Sequence, residues 1–218
     1  AGLRIMTALP DKKAINAFCD VPVSTKREPS PSTLNKNKKS KLNKGEVDKA
    51  FDIIKSFAKK KPNRLTKQVF QIPDLINKEI SVGAISFTRE QVNYMKNEAE
   101  KILTDEEVES INLMIGTPEE FQGNERDIMI FAPSIDPDQK MSRAHMEDPN
   151  RFNVETSRAR FFTYFVHGAI PSNMVMMQKM LTKMGQEKSE IIQNKTGFLP
   201  IGWTLKPSEC ESEFELRV

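Results

Sequence analysis

The feature that most constrains the fold of this chain is the apolar run at residues 79–87, EISVGAISF. Polar and apolar residues do not alternate cleanly in this run, so it predicts a strand buried on both faces, as in a parallel sheet. Two more apolar runs, at 111–115 and 128–132, and the aromatic run FFTYFVHG at 161–168 predict three further strands. Strands of this kind need a layer of helices on each face, which restricts the chain to a few layered architectures.

Helical patterns alternate with the predicted strands. Apolar residues recur at helical spacing in GEVDKAFDIIKSFAKKK, residues 45–61, and Pro62 ends that helix. Thr88 and Gln91 form a capping-box pattern at the start of TREQVNYMKNEAEKIL. Two shorter helices are predicted in RFNVETSRAR, residues 151–160, and in SNMVMMQKMLTKMGQ, whose methionines we expect to fill the core. The alternation predicts an α/β fold with a mostly parallel sheet and helices on both faces.

The composition divides the chain into three parts. Residues 1–45 are predicted to be an irregular, partly basic segment, because KREPSPSTLNKNKKSKLNKGE suits a solvated linker or a basic arm that contacts phosphate. Residues 46–186 are the predicted α/β domain, and residues 187–218 are a C-terminal extension. Residues 62–79 are either a short strand with a turn or an insertion. The chain does not begin with Met, and we expect it to be part of a larger protein.

The overall composition narrows the class of protein. The net charge of +3 is mild. The two cysteines, Cys19 and Cys210, form no zinc-binding pattern, and with the absence of a secretory signal they indicate a reduced, cytoplasmic environment. No stretch of about 20 apolar residues could span a membrane, so no membrane partner is expected. The two histidines, His145 and His167, are not at metal-ligand spacing, so no metal site is expected.

The sequence also lacks the motifs of a complete nucleotide hydrolase. It contains no GxxxxGK(S/T) phosphate loop, no acidic pair for magnesium after an apolar strand and no GxSxG nucleophile turn. This chain alone is therefore expected to be inactive as an ATP hydrolase. Ligands of parallel α/β sheets bind beyond the carboxyl ends of the strands, which directs attention to the loops after Phe87, Ile115 and Ile130.

The loop GTPEEFQGNERD, residues 116–127, joins two of the predicted strands. Its glycines permit a tight turn and the close approach of backbone to a ligand. The hydroxyl and the backbone N–H of Thr117 could bond a phosphate, and Gln122 and Glu125 could accept hydrogen bonds from a ribose. Thr117 before Pro118 is equally a good helix start, and the residues alone do not decide between these two roles.

The segment RFNVETSRAR sets three arginines, Arg151, Arg158 and Arg160, before a predicted strand. On a helix Arg158 and Arg160 point about 200° apart, so they cannot serve the same contact. One guanidinium can then bind phosphate as a bidentate fork, whereas the other pairs within the domain. The alternative is that all three arginines form local ion pairs with nearby carboxylates, which are Asp148, Glu155 and Glu125.

These two segments resemble conserved motifs of superfamily 1 helicases. GTPEEFQGNERDIMI resembles motif V and DPNRFNVETSRARFFTYFVHG resembles motif VI, and the similarity is greatest to the branch that contains the nonsense-mediated-decay RNA helicase and the replication helicase-nucleases. VGAISFTREQVNYMK and SKLNKGEVDKAFDIIKSF resemble the segments that precede these motifs, so the resemblance spans residues 40–170. Glu155 stands where the family often has a small residue, and SFTREQ replaces the usual TPYRAQ.

The resemblance implies that the domain is the second of two RecA-like domains, with a three-layer α/β fold, in an ATP-dependent DNA helicase or translocase. ATP with Mg²⁺ would be bound mainly by the first, N-terminal RecA-like domain of the same protein. Position by position, Arg158 corresponds to the catalytic arginine finger that reaches the γ-phosphate. Gln122, Gly123 and Glu125 correspond to the turn on the nucleotide side, and Arg160 to a residue that holds the motif in place.

The resemblance also implies a polymeric partner. Thr88, Arg89 and Thr117 correspond to positions at which the family contacts single-stranded nucleic acid, and DNA is favoured over RNA. Because the phosphate loop is missing, an alternative is a RecA-like module that binds nucleic acid or protein and is inactive as an ATPase. A further alternative is a regulatory subunit that supplies Arg158 in trans to a separate ATPase.

Overall fold

A parallel six-stranded sheet is the centre of the computed structural model, which describes residues 17–27, 41–67, 69–71, 79–136, 147–179, 181–182 and 204–205. The strands are β1 (Ala17–Pro22), β2 (Val82–Ile85), β3 (Met114–Gly116), β4 (Arg126–Phe131), β5 (Ala159–His167) and β6 (Thr204–Leu205). The helices are α1 (Lys44–Ala58), α2 (Arg89–Ile102), α3 (Asp105–Ser110) and α4 (Pro149–Ser157). A 3-10 turn covers Val69–Gln71, and residues 175–179 are helical.

The strands lie in the order β3-β2-β4-β5-β1-β6, and neighbouring strands are parallel. The chain therefore returns to the same edge of the sheet through crossovers, and those from β2 to β3 and from β4 to β5 contain helices. β4 and β5 form the middle of the sheet, where Ile130 lies beside Tyr164. The parallel sheet with helices on both faces confirms the predicted α/β fold.

Two hydrophobic layers fill the space between the sheet and its helices. On one face α1 and α2 cover the sheet through buried side chains that include Ile54. On the other face lie α4 and the segment after β5, and there Phe131 stacks on Phe165 with ring centroids 5.1 Å apart. Met174 and Met177 are fully buried in this second layer, which confirms that they fill the core. Burying a large apolar side chain contributes about 1.5–3 kcal/mol, so both layers stabilise the sheet.

The predicted helix over residues 151–160 is wrong at its C-terminal end. α4 ends before Arg158, and Ala159 already pairs with Arg126 in the sheet. The backbone N–H of Arg126 donates to the carbonyl of Arg158 over 3.0 Å, so sheet pairing replaces the last helical turn. Arg158 and Arg160 are therefore not two residues of one helix, and their directions follow from the strand rather than from helical geometry.

The prediction of an irregular segment over residues 1–45 is wrong at residues 17–22, which form a strand. This strand, β1, lies between β5 and β6 and pairs with β5 along its whole length. Cys19 and Val21 are buried in the core. The mixture of small, polar and apolar residues in AFCDVP gives a weak strand signal, because β propensity depends strongly on context. The remaining boundaries of the three-part division stay predictions.

The segment at residues 62–79 is turn-rich wherever the structure describes it. Residues 64–67 form turns, and Val69–Gln71 form the 3-10 turn. No strand is found in the described part of this segment, so a strand in its first half is excluded. The remainder of KQVFQIPDLI lies outside the described residues.

Candidate functional site

Two of the predicted nucleotide-side residues lie together at the amino edge of the sheet, where the parallel strands begin. Glu125 directly precedes β4, and Arg158 directly precedes β5, the neighbouring strand. The hydrogen bond from Arg126 N to Arg158 O fixes these two strand starts side by side. The rule that ligands bind beyond the carboxyl ends of strands points to the opposite edge and would not find this pair. The resemblance to the helicase motifs is what locates it.

Arg158 carries a guanidinium that has no partner among the described side chains. Its side chain is partly buried, and its Nε atom has no hydrogen-bond partner within the part of the chain that the structure describes. Among the same residues Arg158 forms no ion pair, and the nearby Glu125 is paired with Arg160 instead. A buried donor left unpaired costs about 1–3 kcal/mol. A partly buried guanidinium that lacks a partner among the described residues is suited to an anionic partner from outside the domain.

Arg160 belongs to the local structure. Its Nε lies 3.4 Å from Oε2 of Glu125, and its Nη1 lies 3.6 Å from Oδ1 of Asp127. The buried Asp127 carboxylate also accepts hydrogen bonds from the backbone N–H and the hydroxyl of Ser81, at 3.0 and 2.8 Å. Arg160 therefore ties the Glu125 turn to the starts of β4 and β5, as expected of a residue that holds the motif in place.

The loop between β3 and β4 is a series of turns rather than the helix that Thr117 and Pro118 permitted. Residues 118–123 are all in turns, and Gly123 has a φ of +81°, the left-handed region that favours glycine. Gln122, Gly123 and Glu125 are exposed on this loop. The backbone N–H of Thr117 donates to Glu120 Oε2 over 2.7 Å, so it is not available to a phosphate. The Thr117 hydroxyl makes no hydrogen bond among the described residues.

The three predicted nucleic-acid contacts lie at the carboxyl edge, opposite to Arg158. Thr88 and Arg89 follow β2, Thr117 follows β3, and the two strands are neighbours. The Thr88 hydroxyl accepts from the Gln91 N–H at 3.3 Å and donates to the Lys41 carbonyl at 2.8 Å, so it is committed to the cap of α2. Arg89 is exposed and forms no ion pair within the described ranges. Of the three, Arg89 is exposed and can reach a ligand, whereas Thr117 is buried.

The predicted capping box at Thr88 is half right. Thr88 caps α2 as expected, but the side chain of Gln91 does not return to the cap. Its amide donates to Oε2 of Glu46 over 3.2 Å and to the Ala132 carbonyl over 3.0 Å. These two acceptors come from distant parts of the chain, which is why a local sequence pattern did not indicate them.

Glu46 is the principal residue at the carboxyl edge that the sequence did not single out. Its carboxylate is completely buried. It accepts hydrogen bonds from three backbone N–H groups and two side-chain amides, which belong to Ser134 (2.6 Å), Ile135 (3.0 Å), Gly168 (3.0 Å), Gln91 (3.2 Å) and Asn43 (3.2 Å). These donors follow β4 and β5 and begin α1 and α2. One carboxylate therefore joins the loops that shape this edge.

The surroundings of Glu46 set its protonation. Burial raises the pKa of the Glu46 carboxyl above its ordinary value, and the hydrogen bonds from Gly168, Gln91, Ile135 and Ser134 oppose part of that rise. Within the segment SKLNKGEVDKA, the polar residues Ser40, Asn43 and Glu46 carry the helicase resemblance. That resemblance was the signal that could have found this carboxylate.

The described residues provide neither a metal centre nor a membrane segment. No group of three His, Cys, Asp or Glu side chains in them could hold a metal ion. Among the helices in the same ranges, none has both the length and the apolar character needed to cross a bilayer.

The parallel three-layer fold and the motif residues at its two edges define a RecA-like domain of the superfamily 1 helicase type. A family model described as an AAA domain matches residues 3–169, more than half of the chain. The chain therefore belongs to this family, in the form found as the C-terminal domain of such helicases.

Comparison with solved structures finds a number of similar chains. The chain is similar to the crystal structure of the C-terminal domain of a possible DNA helicase from Lactobacillus plantarum WCFS1. The similarity covers 74% of this chain and 78% of that one, at 8% sequence identity and a TM-score of 0.40. No match was found among curated proteins.

Proposed function

We propose that this domain is the C-terminal motor domain of an ATP-dependent superfamily 1 helicase or translocase, and that Arg158 is its arginine finger. The observation that carries the proposal is the unpaired, partly buried Arg158 guanidinium beside Glu125 at the amino edge. Among the described side chains, the neighbouring cations have local roles, since Arg160 binds Glu125 and Arg126 donates to the carbonyls of Asn112 and Glu125.

The residues at this edge fit a nucleoside triphosphate. An unpaired guanidinium suits the negative charge of a terminal phosphate, and the Glu125 carboxylate can accept hydrogen bonds from ribose hydroxyls. Gln122 and Gly123 are exposed next to Glu125, where backbone and amide groups can meet the nucleotide. Bound ATP with Mg²⁺ supplies the phosphoanhydride bond that drives the motor. We assign the metal and the phosphate loop to the N-terminal RecA-like domain.

An arginine delivered across a domain interface couples hydrolysis to domain closure. Arginine fingers in nucleotide hydrolases increase the rate by roughly 10³ to 10⁵, which corresponds to about 4–7 kcal/mol. The guanidinium stabilises the transition state only when the two domains close on the nucleotide. Closure therefore depends on the nucleotide state, and the opposite edge of the domain moves with it.

The carboxyl edge is the proposed site for single-stranded nucleic acid. Arg89 is exposed and can contact backbone phosphates directly, Thr88 positions Arg89 by capping α2, and the buried Thr117 shapes the loop after β3. Such contacts read the backbone rather than the bases, so they suit a motor that moves along any sequence. Among nucleic acids we favour DNA as the substrate.

The test of the proposed function is Arg158→Ala in the full-length protein. We expect the nucleic-acid-stimulated ATPase rate to fall by about 10³-fold or more, with a much smaller change in nucleotide affinity, because the finger acts mainly in the transition state. Rates are measured by phosphate release and affinity by a fluorescent ATP analogue.

The matched control is Lys101→Ala, which removes one positive charge from an exposed pair with Glu98 on α2. This variant should retain the wild-type rate. Unchanged turnover in Arg158→Ala would reject the motor function and leave the alternative of a RecA-like binding module that does not hydrolyse ATP.

A further inference from the structure

Charge is distributed unevenly over the helical layer formed by α1, α2 and α3. Residues 44–67 contain eight Lys or Arg and three Asp or Glu, a net of +5, although the whole chain carries only +3. Residues 88–110, which cover α2 and α3, contain three Lys or Arg and seven Asp or Glu, a net of −4. α1 packs against β5 and α2 against β3, so the two charged segments cover different halves of the sheet. One half of this layer is basic and the other acidic.

The basic half has a defined set of exposed or partly exposed cations. We call Lys49, Lys55, Lys60, Lys61 and Arg64 the basic flank. Lysines in the last turn of a helix are often explained by the helix dipole. That explanation covers only Lys55, because Lys49 lies earlier in α1 and the other three cations follow the helix.

The backbone that carries these cations is fixed by hydrogen bonds. The N–H of Lys60 donates to the Phe57 carbonyl at 3.0 Å, and the N–H of Lys61 donates to the Ser56 carbonyl at 2.9 Å. Lys60 has a φ of 51°, in the left-handed region that turns the chain sharply after α1. Lys60 and Lys61 are thus held on a tight turn and project from a defined position.

The turn is also anchored to the helix and to the sheet. The side-chain amide of Asn63 donates to the Asp52 carbonyl at 2.8 Å, and its oxygen accepts from the N–H of Leu65 at 2.9 Å. The buried Tyr164 hydroxyl of β5 donates to the Leu65 carbonyl at 3.1 Å. These bonds fix the turn relative to α1 and β5, so the basic flank is a preformed surface.

A cavity of about 400 Å³ lies between α1 and this turn. Val21, Pro22 and Leu65 supply apolar lining, and the cations Lys49, Lys55 and Arg64 also line it. The acidic residue in the lining, Asp52, lies 3.3 Å from the Lys49 ammonium. Lys55 forms no ion pair within the described ranges. The cavity therefore has a net positive lining with an apolar part, which suits a phosphate attached to a sugar.

We propose that the basic flank is a second polynucleotide-binding surface, separate from the carboxyl edge. It contacts phosphates of the nucleic-acid backbone without reading the bases. This proposal rests on the proposed function only in naming nucleic acid as the partner. The net positive charge, the cavity and the anchored turn are independent of the helicase motifs. The acidic half of the same layer repels a polyanion, so the polynucleotide is directed toward the basic half.

The experiment compares Lys60→Ala/Lys61→Ala with wild type in the full-length protein. Both lysines are exposed and form no ion pair within the described residues, so their removal should not affect folding. We expect affinity for a labelled oligonucleotide to fall about tenfold near 0.1 M salt, and the slope of log affinity against log salt to become shallower by about 1.4–1.8. Anisotropy titrations use single-stranded and duplex oligonucleotides of equal length.

The matched control is Lys96→Ala/Lys101→Ala, which removes the same charge from the acidic half, where these lysines pair with Glu120 and Glu98. The control should retain the wild-type affinity and salt slope. An equal loss in both double variants, or no loss in Lys60→Ala/Lys61→Ala, would overturn the proposal. The same titrations are run with poly-glutamate. A loss of affinity for poly-glutamate alone would also overturn the proposal, because it would identify an acidic protein as the partner.

The two proposals fail separately. If Arg158→Ala loses turnover while Lys60→Ala/Lys61→Ala binds nucleic acid normally, the motor function stands and the basic flank does not. If the lysine variant loses affinity while Arg158→Ala retains full turnover, the basic flank stands and the motor function is rejected.

Discussion

At the scale of single residues, Arg158 and Arg160 have the same side chain but different surroundings. Arg160 forms ion pairs with Glu125 and Asp127, whereas the buried Nε of Arg158 has no partner in the described part of the chain. The helicase resemblance predicted this difference, although spacing alone left local pairing open for both. The structure shows that Arg160 occupies the Glu125 carboxylate. The sequence could not predict this pair, because it depends on the side-by-side starts of β4 and β5.

The hydrogen bonds of Glu46 show what the sequence could not predict at this scale. Three of its donors, at Ser134, Ile135 and Gly168, are more than 80 positions away along the chain. A buried carboxylate surrounded by N–H donors leaves no local pattern, since Glu46 occupies one position of an ordinary amphipathic helix. The network depends on the parallel topology, which places all strand ends at one edge.

The pKa of Glu46 leads to a pH prediction. Burial raises this pKa above the ordinary value of 4.5. At any pH between the ordinary pKa and the pKa in the folded state, the folded state therefore binds more protons than the unfolded chain. Stability therefore falls as pH rises through this window. Glu46→Gln does not titrate there. The free energy of unfolding of wild type minus that of Glu46→Gln should decrease as pH rises above 4.5 and then level off.

Urea unfolding of both proteins between pH 4 and pH 8, by circular dichroism, measures this difference. At neutral pH the variant itself should be less stable by about 1–3 kcal/mol, because a side-chain amide cannot accept from all five donors. A difference that does not change with pH would show that Glu46 has the same pKa in both states.

At the scale of elements, predictions were best where the local pattern and the sheet agree. The apolar runs predicted β2, β3, β4 and β5, because the strands of a covered parallel sheet are mostly apolar, and even the edge strand β3 is partly buried. Strand boundaries and weak strands were missed where pairing with neighbouring strands, rather than the local sequence, determines the structure. β5 begins earlier than its aromatic run because Ala159 pairs with Arg126, and β1 was missed because only its neighbours make AFCDVP a strand.

The start of α2 allows a prediction about capping. Thr88→Ala removes a hydroxyl that accepts from Gln91 N–H and donates to the Lys41 carbonyl inside the domain. We expect a loss of about 1–2 kcal/mol in the free energy of unfolding. Thr104→Ala removes a similar cap from α3, but at an exposed position, and should cost less.

Thermal and urea unfolding of the two variants and of Thr88→Ser provide the comparison. Thr88→Ser keeps the hydroxyl and should lie close to wild type. Equal losses for Thr88→Ala and Thr104→Ala would mean that the bond to Lys41 contributes nothing beyond an ordinary cap.

At the scale of the whole molecule, the sheet separates two proposed roles. Arg158 and Glu125 lie where strands begin, and Arg89 and Thr117 lie where strands end. Strands of this length, at about 3.3 Å per residue, place the two edges roughly 10–20 Å apart. One parallel sheet connects them, so under the proposed function movement of the Arg158 edge toward a nucleotide would displace the other edge along the nucleic acid.

The integrity of this sheet depends on β1, which gives a last prediction. Deleting residues 1–22 removes β1, uncovers the edge of β5 and separates β6 from the sheet. It also removes buried Cys19 and Val21, and the Asp20 carboxylate that lies 2.7 Å from Nε2 of His167. An uncovered edge strand with a broken core favours aggregation. We therefore expect this variant to lose cooperative thermal unfolding and to elute as aggregates in size-exclusion chromatography. Deleting residues 1–16 retains β1 and should preserve the wild-type elution volume and a cooperative transition. If the longer deletion behaved the same way, β1 would not be required for the fold.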